Sequence, residues 1–122
     1  MKAKLQGLKK ELDSWKKILE DLRQNNALLK YRLSEIVDND EDKNFLQLAE
    51  YFQNELLLKD EKLKKLLKDL QEINGLIEPR ATPSQNTRES LLKLHDEILQ
   101  FKKRYLTLSM EFNEKMPANP GY

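Results

Sequence analysis

Apolar residues recur in alternating steps of three and four along three stretches of this chain, and packed α-helices are the structures that meet such a spacing. The first stretch reads Leu5, Leu8, Leu12, Trp15, Leu19, Leu22, Asn26, Leu29, Leu33 and Ile36. The second reads Phe45, Ala49, Phe52, Leu56, Lys59, Leu63, Leu66, Leu70, Ile73 and Ile77. The third reads Leu91, Leu94, Ile98, Phe101, Tyr105, Leu108 and Phe112. A heptad stripe sustained this long must be buried against another helix. The sequence therefore predicts an all-α fold, an elongated antiparallel three-helix bundle with coiled-coil-like seams. Its helices are expected at about 3–37, 41–77 and 87–115, each roughly 45 to 55 Å long. Residues 1–116 are expected to form a single domain, and 117–122 a flexible tail.

Two seam slots are polar. A lone Asn in a leucine seam fixes register at a cost in stability, so Asn26 is the expected register-setting core residue and Asn26→Leu is expected to raise stability. Lys59 can lay its stem along apolar surface while its ammonium stays in water.

The breaks between stretches follow from turn chemistry. Asp38-Asn39-Asp40-Glu41-Asp42 favours a short turn, and its charges suit the positive end of the next helix. A short turn returns the second helix antiparallel to the first. Asn74-Gly75 predicts a C-cap with Leu76 and Ile77 packing just beyond it, and Pro79 ends any continuation. Residues 78–86 hold two prolines and no apolar period, which reads as the one linker. Asn86 with Glu89 resembles a capping box at the start of the third helix. The length and the early Trp15 resemble a spectrin-like arrangement in architecture, with no second motif to support a family.

Composition agrees with long helices: 35% of residues are charged, 39% hydrophobic, and glycine and aromatics are scarce. Disorder is the competing reading of so polar a chain, but a solvated chain has no need of a period. The formal net charge is +1, from 22 Lys+Arg against 21 Asp+Glu, so no global field draws the chain to nucleic acid or to an anionic membrane. No cysteine is present, which excludes disulfides and thiolate metal sites. The basic start Met1-Lys2-Ala3-Lys4 is not followed by an apolar run, so no signal peptide is expected. The longest apolar runs fall far short of the roughly 20 residues that cross a bilayer. The expected location is the cytoplasm.

Candidate chemistry is thin. His95 has Leu91 and Leu99 at the helical positions where a second ligand would stand. Asp38, Asp40 and Asp42 match the opening of a calcium loop. Lys43 then replaces its turn glycine and Ala49 its bidentate glutamate. Lys102-Lys103-Arg104 lies between Phe101 and Tyr105, two aromatics on the inner seam and not on a stacking platform. The lysines of residues 62–68 are offset by Asp60, Glu61, Asp69 and Glu72, as on a solvated helix face. No catalytic residue, cofactor, metal or small-molecule substrate is expected, and nucleic acid and membrane are unfavoured partners.

The seams leave apolar residues over. The first helix has Leu28 and Tyr31 off its seam. The second carries Leu46, Leu48, Tyr51, Leu57, Leu58, Leu67 and Leu76, so it is expected to be covered on more than one side. The third has a second line, Leu92, Leu99 and Leu106, each seven apart. Either that line packs within the bundle, or it meets another protein or a second copy. The expected function is a non-enzymatic interaction or scaffold protein, docking a protein partner or forming a homo-oligomer, with a dimer favoured. Its candidate interface is Leu92, Leu99, Leu106, Tyr51 and Leu58. The alternative is a nucleic-acid- or membrane-surface accessory using lysine-rich faces. Charge is also uneven along the rod: residues 1–19 carry +4 (six Lys, two acids) and residues 38–58 carry −5 (one Lys, six acids). Opposite ends of that sign would steer end-to-end or antiparallel pairing, unless the basic second half of the third helix neutralises them.

Overall fold

The computed structural model describes residues 2–38, 43–77 and 83–116, with side chains from residue 9 onward except 43 and 44. Three helices account for nearly all of them: α1 (Lys2–Asp38), α2 (Lys43–Leu76) and α3 (Gln85–Lys115), packed into an all-α three-helix bundle with no strand among the described residues. The acidic residues 39–42, linker residues 78–82 and the tail 117–122 lie outside the described residues, and so does any cation contact of the acidic turn.

Every seam position from Leu12 onward is buried except Phe45 and Lys59, which are half-buried. Cross-helix contacts give the directions. Trp15 stacks on His95, Asn25 Nδ2 donates to Tyr105 Oη, and Arg32 donates to Asn113. These pairs differ in number by 80, 80 and 81, so α1 and α3 run parallel, and residue n of α1 lies level with residue n+80 of α3. Between α2 and α3 the pairs are Phe52–Phe112 and Lys62–Glu97, rising on one helix as they fall on the other. α2 is therefore antiparallel to both neighbours.

Two helix ends differ from expectation. Ser84, not Asn86, caps α3: its Oγ accepts from Thr87 N–H at 3.1 Å, and its carbonyl takes the first helical bond from Arg88. Starting at Ser84 gains two residues of helix while still supplying an oxygen to the exposed first-turn amides. At the other end of α2, Asn74 and Gly75 stay helical, and the helix runs to Leu76. Ile77 N–H bonds back to Asn74 C=O at 3.3 Å, closing a tight last turn that buries Ile77. Gly75 has no left-handed φ, and a Cβ built there meets nothing within 4 Å. Gly75→Ala should therefore stabilise the fold by about 0.5–1 kcal/mol, through lower backbone entropy in the unfolded chain. Chemical denaturation reads this directly, and a loss would mean that residue 75 is not helical.

Candidate interaction surface

A polar layer crosses the middle of the core. Asn26 is 0% exposed, and its amide donates to Leu56 C=O at 2.9 Å and to Asp60 Oδ1 at 2.7 Å. Both neighbours accept, so the NH2 group must face them. Its own Oδ1 is buried without a hydrogen bond. Lys30 pairs with the other carboxylate oxygen of Asp60. Burial acts to raise the Asp60 pKa, but the hydrogen bonds from Lys30 and Asn26 and the charges of Lys30 and Lys64 outweigh it, and the net direction is downward. That stabilisation is present above the ordinary carboxylate range and is lost as pH falls through the depressed value. Asn26 thus touches two α2 residues one turn apart, and a slide of α2 by a turn would break both bonds.

This arrangement alters the expectation for Asn26→Leu. The leucine would remove the orphaned Oδ1 and add apolar burial, but it would strip the half-buried Asp60 carboxylate of a donor and leave Leu56 C=O without its Asn26 partner. Gain and loss are each of the order of 1–3 kcal/mol, so they largely offset.

Beside this layer, Tyr105 is fully buried. Burial pushes its hydroxyl pKa up to about 12; the Asp60 charge adds to this, and the Asn25 hydrogen bond works against it. A folded pKa above the unfolded value of about 10 means that the unfolded chain ionises first, so stability is lost as pH climbs from about 10 towards 12. The free-energy difference between wild type and Tyr105→Phe should be flat below that window and shrink within it. A difference that does not change across the window would place the hydroxyl in solvent.

The same cross-helix pairs assign the faces of α3. Asn113 meets α1, and Leu106, Leu99 and Leu92 precede it at seven-residue steps, so this line lies on the α1 flank. Leu92, Leu99 and Leu106 are 72%, 50% and 48% exposed, so the bundle does not use them. Leu58 lies on the other flank, lining a cleft between α2 and α3 with Lys62, Glu97, Gln100 and Arg104. Tyr51, one heptad before Leu58, shares its line and is also exposed. The five expected interface residues therefore divide between two flanks of α3. Five of the seven residues lining the cleft beside Leu58 are charged or polar. Lys62 Nζ stands 3.7 Å from Glu97 Oε2, whose oxygen is buried without a hydrogen bond. On α2, Leu48 and Leu67 pack against the core, while Leu46, Leu57 and Leu76 stay exposed, so α2 is not covered beyond its two neighbours.

The α1 flank gains residues instead. Leu28 and Tyr31 are exposed, and the offset of 80 sets them level with positions 108 and 111 of α3, beside Leu106 and the exposed Met110. On α1, Leu28 lies one turn beyond Asn25, the residue that faces α3, and Tyr31 follows a turn later. Leu28, Tyr31, Leu92, Leu99, Leu106 and Met110 thus form one apolar face along the α1/α3 groove. The Tyr31 hydroxyl is hydrogen-bonded to Glu35, and this bond and the carboxylate charge raise its pKa. Neither Leu28 nor Tyr31 was among the expected interface residues; the signal was their place off the seam, uninterpretable without the register between helices.

Among the described residues, no group of three His, Cys, Asp or Glu side chains could hold a metal ion, and no helix is long and apolar enough to cross a membrane. His95, half-buried, stacks on Trp15 with ring centroids 4.7 Å apart and planes 8° from parallel. The sequence matches no protein-family model, no curated protein and no solved structure.

Proposed function

We propose that this chain is a non-enzymatic interaction protein, a helical scaffold that binds a protein partner or another copy of itself through apolar lines left outside its bundle. One observation carries the reading: six large apolar side chains stand exposed on a single face of two parallel helices. Each such side chain left in water forgoes roughly 1.5–3 kcal/mol of burial. Scattered single leucines need no explanation, but an aligned set is enough to drive association. The polar layer supports a structural role, since Asn26 and Lys30 both donate to Asp60 between α1 and α2. A cytoplasmic setting is part of the reading, in keeping with a chain that has no cysteine to oxidise.

Leu99→Glu tests it. Position 99 is half exposed, so the fold tolerates the carboxylate while the face does not. The variant should keep its helical circular dichroism and lose self-association or partner binding by at least about tenfold, as expected for a charge forced into an apolar contact. Unchanged mass and unchanged binding would remove this face from the account.

A further inference from the structure

We infer that the occupant of the α1/α3 face is a second copy of this chain, in a two-fold dimer with α1 of each copy against α3 of the other and all four helices running the same way. This rests on the interaction reading above and adds its partner and geometry.

Two-fold pairing of one face allows two arrangements. An axis along the helices sets α1 against α3 of the other copy, in parallel. An axis across them sets α1 against α1 and α3 against α3, antiparallel. In the parallel form, residue n of α1 meets the neighbourhood of residue n+80 in the other copy, because α1 and α3 already share that level within one chain.

Read at that offset, the two helices pair in charge along their first halves and in apolarity beyond, with Leu92 and Leu99 beside the apolar stems of Lys10 and Lys17. Lys10 falls opposite Glu89, and Lys17 opposite Asp96. Asp21 falls opposite Lys102 and Lys103, Leu28 opposite Leu106, and Tyr31 opposite Met110. The separations run from 78 to 82, bracketing 80, and every one of these side chains is exposed. Opposed signs and then matched apolar groups run over three heptads, from Lys10 to Tyr31, which sets partner and direction together. The antiparallel form pivoted on Leu28 places Asp21 opposite Glu35 of the other copy, like charge on like.

Part of the uneven charge of the rod lies away from the parallel interface: Glu50 and Glu55 belong to α2, on the far side of each bundle from this face. Roughly 25 Å then separates them from their counterparts, about three screening lengths at physiological salt. The size is adequate as well. From Leu92 to Asn113 the face is about 30 Å long and about 20 Å wide, so a dimer buries about 1,200 Å² in total, the lower bound of stable interfaces.

The absence of cysteine makes the test clean. Leu28→Cys and Leu106→Cys are prepared separately, mixed, and oxidised at a concentration where scattering is recorded on the same sample. The parallel dimer predicts a disulfide joining the two different variants, with Leu28→Cys alone giving little product. Disulfide bridging of Leu28→Cys to itself, as fast as in the mixture, would establish the antiparallel form and overturn the proposal. A dimer that yields no mixed product overturns it too and leaves the interaction reading standing. Monomer at every concentration also overturns it, and the interaction reading is then judged by the Leu99→Glu result alone. Charge reversal gives an independent check: Lys17→Glu should weaken the dimer by up to about fivefold, and adding Asp96→Lys should restore it. Absence of rescue would contradict the assigned pairing.

Discussion

Replacing Phe112 with alanine lowers the free energy of unfolding by about 3–5 kcal/mol. The ring is fully buried near the end of α3, packed edge-to-face on Phe52 with centroids 5.2 Å apart, and the Arg32 guanidinium lies 5.3 Å from its centre. Truncation removes contacts to both other helices at once and leaves a void that three rigid rods cannot close. Against a total of about 5–15 kcal/mol for a domain of this kind, the variant is marginal. The control is a pair of neighbours on α2. Leu56 is 0% exposed and Leu57 is 47% exposed. Leu56→Ala should cost about 2–5 kcal/mol and Leu57→Ala about 0.5 or less, though the two are adjacent in the chain. Similar costs at both positions would mean that the buried stripe is misassigned by a rotation of the helix.

The second large effect comes from exchanging one heavy atom, nitrogen for oxygen. Asn26→Asp keeps the shape of the side chain and removes both donors. Leu56 C=O and the Asp60 carboxylate, which now accept from Asn26, would instead face a third acceptor in the core. At neutral pH the cost is about 3–5 kcal/mol, the scale of a broken buried charge pair. Protonation returns one O–H donor to the introduced carboxyl, so the fold favours its neutral form and raises its pKa. Its penalty is absent well below the unfolded value of about 4 and grows as pH rises above it. Denaturation of wild type and variant at pH 3 and pH 7 separates this from a simple packing defect, which would cost the same at both. Asn26→Leu at the same position should change stability by about 1 kcal/mol or less, because its gain and loss offset.

The buried seams were legible because burial of a helix is periodic and the period is written in a single segment. Leu19, Phe52, Leu66 and Phe112 all fall where the alternation of three and four places them, and all are fully or nearly fully buried. Asn26 was legible as the polar member of its seam, but its partners were not. Knowing that Asp60 receives its amide requires the level of α2 against α1, which no single helix encodes. The same gap explains the candidate surface. Leu92, Leu99 and Leu106 stood out by their spacing, yet nothing in α3 alone told which neighbour lay on their side. Only the offset of 80 brings Leu28 and Tyr31 beside Leu106 and Met110 and separates them from Tyr51 and Leu58. The missed cap at Ser84 has a local cause. Ser and Asn cap about equally well, so the choice was set by how much helix each would gain.

The pairing of two copies through the α1/α3 face is tested most directly by molar mass in solution, measured by light scattering across a wide concentration range. The account predicts a species of twice the 14.5 kDa chain mass that dissociates on dilution and is absent in Leu99→Glu at the same concentrations. A wild-type chain that stays at 14.5 kDa throughout, or a Leu99→Glu dimer as stable as the wild type, would contradict it.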